Sequence, residues 1–122
     1  ISLAWANHAP ANSGAGHPLH RHNYSYLSGV YYFTEGSNTV FQDPVDIRNL
    51  DTLEIIRDWF DGPYEKFDAE PGKLLVFPGW LRHYSNPHSG ETDRYTMSFN
   101  SLPHGAVNAG PQGVPMANIN VL

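Results

Sequence analysis

The alternation of apolar and polar positions along this chain has a period of two, the signature of strands with one buried face. ISLAWANHA (1–9) alternates and carries aromatic and β-branched residues, so it predicts a first strand. ANSGAGHP (11–18) predicts a loop, SYLSGVYYF (25–33) a strong strand, TEGSN a turn, and TVFQD (39–43) a short strand closed by Pro44. YEKFDAE (64–70) alternates again, Pro71-Gly72 turns the chain, and KLLVFPGWLRHYS (73–85) predicts two strands broken at Pro78-Gly79. RYTMSFN (94–100) places Arg94, Thr96 and Ser98 on one face and Tyr95, Met97 and Phe99 on the other. DTLEIIRDWF (51–60) departs from this period. Asp51 with Glu54 three residues on resembles a capping box, which predicts one or two helical turns. From Leu102 the chain is rich in Gly, Pro and Asn, so 101–122 is expected to form an irregular arm on a 1–100 core. About seven or eight short strands separated by turns predict an all-β barrel or sandwich. The positions of Trp and Tyr do not favour an immunoglobulin-like sandwich.

Composition narrows the possibilities. The 122 residues suffice for one domain and one core, and 40% are hydrophobic. There is no cysteine, which excludes disulfides, zinc ribbons and thiol nucleophiles. A net charge of −5 and the absence of any Lys/Arg run argue against a nucleic-acid partner. No apolar stretch approaches the ~20 residues that span a bilayer, and no signal-peptide pattern is visible, so a cytoplasmic location is expected. The sequence opens on Ile1 inside a predicted strand, so a further segment is expected upstream.

The histidines carry the chemistry. His20 and His22 form an H-x-H pair, and in a strand two residues apart share a face, so both imidazoles can converge on one metal ion. Taken alone, the pair also fits a histidine-rich polar turn. His83 follows the later KLLVFPGWLR stretch, and a β-barrel can bring such a distant histidine beside an H-x-H. Arg94 shares its face with Thr96 and Ser98. Pointing it inward makes sense if its planar fork meets a carboxylate; the alternative is a solvent-facing arginine on an edge strand. His17 lies three residues before His20 and could substitute as a ligand. His88, in SNPHSGETD, reads as a surface turn, while His8 and His104 read as bystanders. Trp5, Tyr24, Tyr26 and Trp80 read as barrel filling and rim, and Asn7, on the strand of Trp5, is a candidate for the pocket wall.

Taken together, HRH, SGVYY, GKLLVFPGWLRH and RYTMSFN resemble, in order and spacing, the iron- and 2-oxoglutarate-dependent oxygenases, in a branch with H-x-H in place of H-x-D. The resemblance covers roughly residues 3–100. It implies a double-stranded β-helix, a jelly-roll or cupin-like barrel with at most one or two short helices. It implies Fe(II) held by His20, His22 and His83, with 2-oxoglutarate and O2 as cosubstrates. Arg94 would anchor the distal carboxylate of 2-oxoglutarate, assisted by Tyr32, Thr96 or Ser98. His22 stands where an aspartate is usual, so either it completes a three-histidine face or it stands behind one built from two. The implied reaction hydroxylates a small-molecule or peptide substrate as 2-oxoglutarate is decarboxylated to succinate; a homodimer is compatible with it. The nearest rival is a cupin-type metal enzyme or binding protein that does not use 2-oxoglutarate. A cupin expects a glutamate soon after its H-x-H, where this chain has Tyr26 and Leu27. A zinc hydrolase or a non-catalytic barrel leaves Arg94 without a role.

Overall fold

The computed structural model describes residues 1–44, 64–106 and 118–119. Among the described residues are ten strands: β1 Leu3–Ala9, β2 His17–His20, β3 Leu27–Tyr32, β4 Gly36–Gln42, β5 Tyr64–Ala69, β6 Leu74–Pro78, β7 His83–Ser85, β8 Arg94–Ser101, β9 Gly105–Ala106 and β10 Asn118–Ile119. They form two four-stranded sheets, β1-β8-β3-β6 and β2-β7-β4-β5, and a two-stranded pair, β10-β9. Every pairing is antiparallel. This is an all-β, jelly-roll or cupin-like fold, with no helix among the described residues. The helical turns expected at 51–60 lie outside those residues.

The core lies between the two large sheets. Val30 and Tyr32 from β3, Phe41 from β4, Ala69 from β5 and Phe77 from β6 form one buried cluster, flanked by Leu75 and Leu81. Each large side chain removed from water contributes about 1.5–3 kcal/mol. Gly29, opposite Phe99 in the sheet, is required by a close approach. A Cβ there would sit 2.4 Å from two ring carbons of Phe99.

β8 is the most informative strand. Arg94 and Thr96 are buried while Tyr95 and Met97 are exposed, so the polar face turns inward and the apolar face outward. A protein gains nothing from this inversion unless the interior holds something polar. The outer face of the same sheet is correspondingly apolar, with Leu27, Leu74, Val76, Tyr95 and Met97 exposed on it.

The structure corrects four expectations. The TEGSN turn is shorter, because Gly36, Ser37 and Asn38 already belong to β4. The predicted 11–18 loop is shorter, because His17 and Pro18 already belong to β2; a proline is tolerated there because β2 is an edge strand. The tail is not wholly irregular, since Gly105–Ala106 pairs with Asn118–Ile119. His88 is not on a surface turn. It is 1% exposed, and its ring Nε2–H donates to the Thr92 carbonyl at 2.8 Å. Its segment is clipped to the 12–15 loop by three backbone bonds of 2.9 Å: Asn12 N–H to Gly90 O, Gly14 N–H to His88 O, and His88 N–H to Ala15 O.

Candidate metal centre

Pairing of β2 with β7 sets His20 directly opposite His83, and pairing of β4 with β7 sets His83 opposite Phe41. His22 lies beyond the end of β2, so the pleat alone does not aim it. Its backbone N–H donates to the Gly79 carbonyl at 2.9 Å, which holds the H-x-H against the Pro78-Gly79 break. The ligand atoms of His20, His22 and His83 all lie within 4.8 Å of one another. The His22 and His83 Nε2 atoms are 3.3 Å apart, and the His20 and His83 ring centroids 4.4 Å apart. No Asp or Glu joins the cluster among the described residues.

Two of the rings are oriented by backbone carbonyls. His20 Nδ1–H donates to the Pro18 carbonyl at 2.7 Å and His83 Nδ1–H to the Leu81 carbonyl at 2.9 Å. In those tautomers each Nε2 lone pair is left for a metal, the usual way a protein fixes a ligating imidazole. Burial pushes the His83 imidazole down to about 4, against the Leu81 carbonyl, which favours its protonated form, and with His20, His22 and His17 lowering it further. His22 is lowered by burial and then by His20. His83 and His22 are therefore biased toward the neutral form, as ligation requires.

This depression has a sign that can be checked. Unfolded His83 takes up a proton near pH 6.5, whereas folded His83 resists until about 4. Between those values the unfolded chain binds more protons, so stability falls as pH falls. Metal-free protein is expected to lose ~1–2 kcal/mol between pH 6.5 and 4 after allowance for solvent screening, and His83→Gln should flatten part of that slope. Urea unfolding at a series of pH values measures it; an unchanged slope in His83→Gln would show the pH dependence arises elsewhere.

An open cavity joins the histidines to Arg94 and is walled by Trp5, Asn7, Val30, Thr39 and Phe77 among others. Arg94 is 5% exposed, its Nε has no hydrogen-bond partner, and no carboxylate pairs with it among the described residues. Burial lowers its affinity for the proton. Its guanidinium carbon lies 5.8 Å from the Tyr32 ring centre. Gly36, with φ of 150°, leaves room behind it: a Cβ there would come within 2.8 Å of Arg94 Cδ.

The other predicted site residues fall close by. Asn7 lines the cavity as expected, and its Nδ2 donates to Thr96 Oγ1 at 3.3 Å and to Ser98 Oγ at 3.1 Å, so one amide orients both hydroxyls. Tyr32 is wholly buried and does not line the cavity; its hydroxyl is hydrogen-bonded to that of Thr39, which does. Thr39 escaped the sequence reading, because a threonine opening a strand carries no signal of its own. Trp5, expected to be filling, also lines the cavity, with its ring 5.9 Å from that of His22. Tyr24, Tyr26 and Trp80 are exposed. His17 lines the cavity too, but Ser85 holds it: the His17 backbone N–H donates to Ser85 Oγ at 2.8 Å, with ring Nδ1 3.2 Å from the same oxygen. It does not join the ligand cluster. His8 is exposed, paired with Asp93 at 2.8 Å and stacked on Tyr95 at 4.7 Å.

Three convergent imidazoles, two with their outer nitrogens fixed, suit a first-row divalent metal, and a buried guanidinium without a carboxylate among the described residues suits an organic anion beside it. A family model described as "Putative 2OG-Fe(II) oxygenase" matches residues 3–100. No curated protein matches the chain by sequence. Among solved structures, a cupin domain from Bordetella pertussis Tohama I is similar at TM-score 0.52 and 14% identity, over 82% of this chain and 80% of that one. The non-heme monooxygenase ThoJ, in its nickel complex, is similar at TM-score 0.56 and 11% identity, over 84% of this chain and 47% of that one. The chain thus spans about half the length of that monooxygenase.

Proposed function

Because this chain belongs to the family described as "Putative 2OG-Fe(II) oxygenase", we propose that it is an Fe(II)- and 2-oxoglutarate-dependent dioxygenase that hydroxylates an organic substrate. The observation that carries the reading is Arg94, a buried guanidinium without a carboxylate among the described residues, facing the same cavity as three convergent histidines. A cupin that does not use 2-oxoglutarate has no need of that arginine. Tyr26 and Leu27, at the position of its expected glutamate, are exposed.

In this reading His20, His22 and His83 hold the iron. Iron, when bound, supplies the O2 chemistry that couples decarboxylation of 2-oxoglutarate to oxidation of the substrate. The Pro18 and Leu81 carbonyls hold the His20 and His83 protons on Nδ1, so in the neutral tautomer Nε2 is the nitrogen that ligates. Arg94 binds the distal carboxylate through charge-assisted hydrogen bonds. Asn7 directs Thr96 and Ser98, whose oxygens accept from its amide and whose own protons are then free to donate toward the same carboxylate. Val30, Phe77 and Trp5 exclude water from the wall between anchor and metal. A wall of three neutral ligands adds no negative charge, so the cavity favours a dianion more than one built with a carboxylate.

Metal-free protein supplied with Fe(II), 2-oxoglutarate and O2 is expected to form succinate slowly even without the substrate, and omission of iron should stop it. No succinate together with no 2-oxoglutarate binding by calorimetry would overturn the assignment.

A further inference from the structure

Beside the metal centre, the chain writes a second chemistry. Arg21 stands between His20 and His22, Arg82 precedes His83, and Gln42 follows Phe41, the partner of His83 across the sheet. Gln42 lies in β4, where the pleat turns it away from the core-facing Phe41. Arg21, Arg82 and Gln42 line a separate cavity of about 340 Å³, together with Asp43, Pro44 and Trp80. It shares no lining residue with the cavity of the histidines.

The chemistry of this rim pocket is specific. Neither Arg21 nor Arg82 forms an ion pair among the described residues. Asp43 is buried and has a partner of its own. In a chain of net charge −5, two guanidiniums on one small cavity are a local reversal of sign, and they attract anions. Trp80 is 57% exposed, and an indole stacks on flat rings. Gln42 Oε1 is buried without a donor, which costs free energy until a ligand or water supplies one.

We propose that this pocket binds a small organic anion carrying a flat ring and a hydrogen-bond donor. Arg21 and Arg82 hold the anionic group, Trp80 stacks on the ring and Gln42 Oε1 accepts from the donor. The binding site itself needs neither metal nor 2-oxoglutarate.

Metal-free protein is titrated with AMP, UMP, indole acetate and hydroxybenzoate, and with inorganic phosphate and adenosine as half-ligands, by calorimetry. At least one ring-bearing anion is expected to bind below ~1 mM and more tightly than either half-ligand. The Arg21→Gln/Arg82→Gln protein should bind it at least ~10-fold more weakly, and Trp80→Leu should weaken it too, while thermal unfolding confirms that each variant is folded. Arg94→Met should bind it as the wild type does, which separates this pocket from the cosubstrate anchor. Binding by a wild-type protein that makes no succinate would support the pocket and sink only the oxygenase reading. No binding across the panel, or equal binding by the double variant, overturns the proposal.

Discussion

The His83→Ala protein is expected to bind divalent metal more than ~100-fold more weakly than wild type, beyond the ~10–100-fold cost of losing a ligand's outer partner. His83 is the hub of the cluster. Its Nε2 is 3.3 Å from that of His22, its ring centre is 4.4 Å from that of His20, and Leu81 fixes its tautomer. It is also the most enclosed of the three, wedged against Phe41 at 5.6 Å and Phe77 at 4.7 Å. Truncation therefore removes a ligand and opens a void in the core, and the metal-free variant should lose ~1–3 kcal/mol of stability. Calorimetric titration with Fe(II) or Ni(II), beside urea unfolding of the metal-free protein, reads the two effects separately. His17→Ala should keep the metal, because Ser85 holds that ring outside the cluster. Retention of metal by His83→Ala, or its loss from His17→Ala, would mean the ligand set is drawn wrongly.

Arg94→Met is expected to raise the stability of the ligand-free protein while lowering affinity for 2-oxoglutarate by ~10²–10⁴-fold. The second effect follows from losing two charge-assisted hydrogen bonds worth about 1.5–3 kcal/mol each. The first follows from the unliganded state, where the guanidinium is buried without a carboxylate and its Nε is unsatisfied. Taking a charge out of water without a partner is costly, and methionine fills similar space without that cost. A structural arginine would show the reverse, a fall in stability on replacement. Thermal unfolding and 2-oxoglutarate calorimetry on the same samples distinguish the two. Loss of stability with retained affinity would end the case for Arg94 as the anchor. Sites kept at the expense of fold stability are where function is usually found.

Much of this centre was legible because strand periodicity is local. RYTMSFN shows its two faces in the sequence, and the structure buries the face that carries Arg94. The spacing of HRH and the placement of His83 after a strand left the ligand set open, the family resemblance named His20, His22 and His83, and the fold brings those three together. What was hidden depends on partners far along the chain. His88 sits among turn-forming residues, but nothing local reveals that residues 12–15 fold over it. Pro18 disguised β2, since a proline is excluded from a central strand and tolerated only at an edge. Tyr32 and Thr39 are separated by a turn and lie in different sheets, and only the packing of one sheet on the other shows that the tyrosine hydroxyl ends on the threonine and not in the cavity.

The irregularity between His17 and His20 in the pairing of β2 with β7 sets the phase at which His20 meets His83. In a strand, a slip of one residue turns a side chain to the other face of the sheet. A one-residue insertion just ahead of His20 would thus act less like a loosened ligand than like a frameshift, taking that imidazole off the wall it shares with His83. The register of β2 on β7 is the reading frame of the His20–His83 pair.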